Sequence, residues 1–164
     1  VPAGPAVAAP ADDCAAPTRT VTGSTSGAPL DVAAGEVVLI AGGTQSGGVN
    51  SLPAGATLCV AAGATLAPAY VNNAAGTVYV APGGTASLPS IATNAGFVLD
   101  NAGTTTVAGL NMNGPGAVAN AVGATLTVTG QFAPAAGRSS TTGRWRCPAA
   151  RPSTATSPWS TTGR

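Results

Sequence analysis

The chain has 164 residues, of which 45% are hydrophobic, 7% charged and 4% aromatic, and its net charge is +1. It has no His and no Lys, and five of its six Arg follow position 137. That excludes the basic surface needed for nucleic acid or for an anionic membrane. It equally removes Ser-His-Asp, Cys-His and Schiff-base chemistry.

Gly and Pro are abundant, at 23 and 14 residues, which by itself would suit disorder. Disordered chains are poor in apolar residues and rich in charge. This one has a positive mean hydropathy, +0.31, so an ordered domain is expected. Its longest apolar runs, such as Val37–Ala41, are far too short to span a bilayer.

Val1–Ala16 is rich in Ala and Pro and lacks both the basic start and the apolar centre of a signal peptide. It reads as the start of a mature exported protein, with a disordered terminus as the plainer reading of residues 1–12. Strands are expected at Thr18–Val21 and Pro29–Val32. Residues 1–34 would then be a tail and cap, because the open end of a stacked coil exposes core and strand edges.

From residue 35 to 134 the sequence repeats. Rows begin at Gly35, Gly55, Gly76, Gly96 and Gly116, and a unit of about 20 residues cannot bury its own apolar face. Short runs of Val, Leu, Ile and Thr are broken by Gly, Pro and Asn, with no helical period. The pattern predicts an all-β fold, a right-handed parallel β-helix of about five coils with three short strands per coil. Val38, Leu58, Val78, Val98 and Val118 form one inward column. Ile40, Val60 and Val80 form a second, which Asp100 and Asn120 break. That break is expected to shorten the strands of rows four and five. Val49, Val71, Ile91, Met112 and Phe132 anchor the third strand. Asn50, Asn72, Asn73, Asn94 and Asn113 suit the corners, since Asn tolerates the left-handed conformation.

Cys59 lies between inward Leu58 and Val60 and must point outward. An N-terminal segment folding back over coil one can reach it, so a Cys14–Cys59 disulfide is expected, and with it an oxidising compartment.

The tail from about Arg138 abandons the inward columns and holds both Trp and the odd Cys147. Residues 135–164 read either as a linker or cell-wall segment or as a frame-shifted continuation of the coils. Read one base early from Gly143, the codons can spell AVAVPGG, against YVAPGG in row three. The gene downstream tests this. On either reading the tail should be poorly packed, with Cys147 unpaired. An out-of-frame tail would leave Ala117–Phe132 as an open edge and invite end-to-end self-association.

Candidate chemistry is sparse. No catalytic, cofactor or metal residues are expected. Three scattered Cys do not make a zinc site, and Asp12–Asp13 is read as a solvated pair. Asp100 has no second carboxylate to make a glycosidase pair, so an enzyme acting on polysaccharide is the weakest reading. Gly42–Gly43 and Gly47–Gly48 lack the Lys of a phosphate loop. Thr104, Thr105 and Thr106, then Thr125, Thr127 and Thr129, suggest an outward hydroxyl array of the kind that orders water on ice. Those columns are read as not continuing into coils two and three, which counts against an ice-binding face.

The rows GATLCVAAGATL, GTVYVAPGG and GATLTVTG resemble the secreted β-helical repeat proteins of high-GC bacteria and the passenger regions of bacterial surface adhesins. The resemblance spans residues 35–134 and implies a secreted or cell-surface protein, non-catalytic, structural or adhesive. An ice-binding or glycan-binding solenoid is the alternative. A cell-wall or extracellular glycan would be the partner, with no nucleic acid and no membrane span.

Overall fold

The computed structural model describes residues 10–133, 138–141 and 144–146. Apart from the short helix α1 (Pro10–Ala15), its regular elements are strands. In chain order they are β1 (Arg19–Val21), β2 (Leu30–Asp31), β3 (Val37–Ile40), β4 (Thr44–Gln45), β5 (Val49–Ser51), β6 (Thr57–Val60), β7 (Thr65–Leu66) and β8 (Thr77–Val80). Then follow β9 (Thr85–Thr93), β10 (Val98–Asn101), β11 (Thr104–Met112), β12 (Ala117–Asn120), β13 (Thr125–Val128), β14 (Phe132–Ala133), β15 (Arg138–Thr141) and β16 (Arg144–Arg146).

Every pairing is parallel and joins one coil to the next, giving a β-solenoid of about six turns. The first wall is β1-β3-β6-β8-β10-β12-β15 and the second β4-β7-β9-β11-β13-β16. A third wall joins β2 to β5, then the bridges Val49–Val71, Leu52–Ala74 and Ala74–Thr93, then β14 to the far half of β11. The count exceeds the five rows because β1 pairs in register with β3, and β15 and β16 pair with β12 and β13. The edge expected at Ala117–Phe132 is therefore covered along both of those strands. Cys147 lies outside the described residues.

The core is one aliphatic ladder. Val38, Leu58 and Val78 stack in register and are at most 2% exposed, as the alternation of strand side chains requires. In coil four the inward residue is Leu99, not Val98. The reason is corner length. Residues 94–97 separate β9 from β10, whereas only 75 and 76 separate Ala74 from β8. The next corner compensates: residues 102 and 103 alone join β10 to β11, against 81–84 one coil earlier. Row-leading glycines stay in step while the strand between them shifts by one residue, which swaps its faces.

That shift overturns the expected strand shortening. Asp100 points outward, and β10 and β12 run their full four residues. Asn101 and Asn120 take the inward positions after Ile40, Val60 and Val80, and both are buried. Asn101 Nδ2 donates to Asn120 Oδ1 (2.6 Å) and to the Thr125 carbonyl (2.9 Å). Asn101 Oδ1 accepts from Thr105 Oγ1 (2.8 Å) and from the Gly103 amide (3.3 Å). Asn120 Nδ2 donates to the Ala124 carbonyl (3.3 Å). The side chain of Asn101 thus binds the backbone of the two-residue corner.

Second and third strands are not always separate. β9 and β11 each run nine residues around two walls. Their ladder passes from Val107–Leu88 to Gly109–Ser90, skipping Pro89, which has no N–H to give. At the far corner Asn73 adopts φ 48° and links coils, donating to Ser51 Oγ (3.2 Å) and accepting from Asn94 Nδ2 (3.1 Å). At the N-terminal end Arg19 takes the register position over Val38. Its Nε lies 2.7 Å from Glu36 Oε1, and its Nη2 donates to the Asp31 carbonyl.

Candidate functional site

The second wall carries the most regular surface chemistry. Its strands begin with Thr44, Thr65, Thr85, Thr104 and Thr125, and these five are direct register partners from coil to coil. Two residues on, Ser87, Thr106 and Thr127 form a second outward column. Between the columns, Gln45, Leu66, Ala86, Thr105 and Leu126 point inward and are buried. Thr105 therefore belongs to the core. The first column does continue through coils two and three, contrary to the expectation that it would not. Its steps are 21, 20, 19 and 21 residues, which no constant period finds.

Neighbouring threonines in a column are set by the strand spacing, about 4.8 Å, and the two columns by two residue rises, about 6.7 Å. Thr44, Thr85, Ser87 and Thr104 are exposed; Thr65, Thr106, Thr125 and Thr127 are half-buried between their neighbours. None of these eight hydroxyls makes a side-chain hydrogen bond to another described residue. They are left to solvent or to a partner. Thr129 sits beyond the array, with its hydroxyl donating to the Val107 carbonyl (3.4 Å).

The first wall is chemically different. Its outward column runs Leu39, Cys59, Tyr79, Asp100 and Ala119. Helix α1 lies over β3, β6 and β8, and Cys14 is joined to Cys59 with Cα atoms 5.8 Å apart. That cover buries β6 on both faces and leaves Cys59 1% exposed. Between α1 and the wall is an apolar hollow of about 330 Å³, lined by Ala11, Ala15, Leu39 and Tyr79 among others.

Asp100 is the register partner of Tyr79. Burial raises its carboxyl above the usual range, and burial together with the Asp100 charge raises the Tyr79 hydroxyl. A carboxyl whose folded pKa is raised is stabilising while protonated, below its unfolded pKa, and that stability is lost as pH rises through the folded value. Asp100→Asn should therefore raise the melting temperature at pH 7. The gain should vanish in melts taken below about pH 4, where the unfolded carboxyl is also protonated. An equal gain at both pH values would show that charge is not the cause.

The remaining acids do not assemble. Glu36 pairs with Arg19, and Asp31 and Asp100 lie on different walls. Among the described residues no three His, Cys, Asp or Glu side chains group as metal ligands. Phe97 is buried, and Tyr70 lies over Gly48 with its hydroxyl donating to Asn50 Oδ1 (2.7 Å). Among the residues whose side chains are described, no aromatic stands on the threonine wall. No described helix is long and apolar enough to cross a membrane. No family model matches the chain, and neither characterised proteins nor solved structures yield a significant match.

Proposed function

We propose that this chain is a non-catalytic module of an exported structural or adhesive surface protein, and that it works through the threonine wall. The observation that carries the reading is the in-register run of Thr44, Thr65, Thr85, Thr104 and Thr125. A face whose chemistry repeats over five successive coils suits a partner that also repeats. It does not suit a single small molecule, which needs convergent groups in a concave pocket. The Cys14–Cys59 bond supports an oxidising, extracytoplasmic setting.

Adsorption of the full chain to insoluble glycans and to other extended surfaces tests the reading. Thr85→Arg/Thr104→Arg places two solvated charges in the middle of the wall. It should weaken adsorption by about tenfold or more, on the order of 1.4 kcal/mol. Unchanged adsorption by the folded double variant would remove the wall from the function.

A further inference from the structure

We infer that the partner of the threonine wall is ice, bound as a two-dimensional lattice of ordered water. The inference rests on the reading of that wall as the working surface. Three features carry it, the first being geometry. Parallel ladders set successive threonines of the first column about 4.8 Å apart, and the second column, Ser87, Thr106 and Thr127, runs about 6.7 Å beside it. Liquid water has no such fixed repeat, whereas the exposed faces of ice have oxygen rows of this scale.

The second feature is chemistry. Each threonine offers one hydroxyl, donor and acceptor, beside one methyl. The eight hydroxyls have no side-chain hydrogen bond to other described residues, so they are free to join a water network. Between Thr44 and Thr127 neither column contains a charged residue, and charge would impose its own hydration geometry. The next register positions are Arg144 and Arg146, which end the neutral array.

The third feature is rigidity. The inward residues between the columns are buried, so core packing fixes the backbone that carries the wall. Many weak contacts made at once then give tight attachment, because each after the first is intramolecular. A polysaccharide is the competing extended partner. Its recognition favours aromatic platforms; among the residues whose side chains are described none stands on this wall, and the exposed Tyr70 lies elsewhere.

The test uses the full chain with its disulfide intact. A single ice crystal held just below its melting point should develop facets in the protein solution, and recrystallisation of fine-grained ice should stop. Thr85→Tyr and Thr104→Tyr, in mid-wall, should abolish both effects. Thr20→Tyr, exposed on the first wall, should leave them intact. If the Tyr variants fail to fold by circular dichroism, Thr85→Ser/Thr104→Ser takes their place. It keeps the hydroxyls but loses the methyls and should show reduced inhibition.

Unfaceted ice with the folded wild type overturns the inference, as does full activity in a folded wall variant. Adsorption to an insoluble glycan but not to ice, lost in Thr85→Arg/Thr104→Arg, would overturn ice while leaving the adhesive wall standing. No wall-dependent adsorption to any surface would overturn both.

Discussion

Breaking the Cys14–Cys59 bridge should lower stability by about 4 kcal/mol in the chain-entropy model and the melting temperature by roughly 10 °C or more. The bridge spans 45 residues, from before β1 to β6. Helix α1 has six residues, too few to persist alone, and an apolar hollow lies under it. The covalent bond is therefore what holds it on the first wall. In a stack where each coil touches only its neighbours, the loss should enter from one end. Cys14→Ser is the cleaner variant, because buried Cys59 then remains as a small apolar residue. Amide exchange in β1 and β3 should quicken strongly, and in β10 and β11 much less. A shift worth under about 1 kcal/mol would mean that packing, not the bridge, holds the helix.

Asn101→Val should cost about 3 kcal/mol, although it continues the aliphatic column of Ile40, Val60 and Val80. The loss comes from what Asn101 leaves behind. Thr105 and the Gly103 amide lose an acceptor, and Asn120 and the Thr125 carbonyl lose a donor. Each group stranded in the interior costs about 1–3 kcal/mol, more than a typical hydrogen bond contributes when intact. Converting Asn101, Thr105 and Asn120 together to Val removes most of the stranded side-chain groups and should recover much of the loss. The comparison isolates the coupling within the network. Denaturant melts of the single and triple variants measure it. A triple variant no more stable than Asn101→Val would show that the corner backbone, not the side-chain network, sets the cost.

Those two sites differ in how far they could be read in advance. Cys14 and Cys59 follow from the facing of one strand, since Leu58 and Val60 point in and Cys59 must point out. The Asn101 network does not, because it depends on two corners of unequal length, 94–97 and 102–103. A fixed step of 20 lands on Val98 and Asp100, one residue short of Leu99 and Asn101. The same compensation hides the threonine wall. Thr85 and Thr104 are partners 19 residues apart, and Thr104 and Thr125 are partners 21 apart.

From the order of residues alone come the coil, its approximate period, the inward aliphatic ladder of Val38, Leu58 and Val78, and the disulfide. All of these rest on local rules: side chains alternate faces, Gly and Asn turn corners, and a short unit must stack to bury its core. The tertiary structure decided which residue lies over which beyond coil three, the cover of α1 over Cys59, and the gathering of five threonines into one column. Register between coils is a sum over every corner in between. It is settled by pairing and burial across some twenty residues, and no local pattern carries that sum.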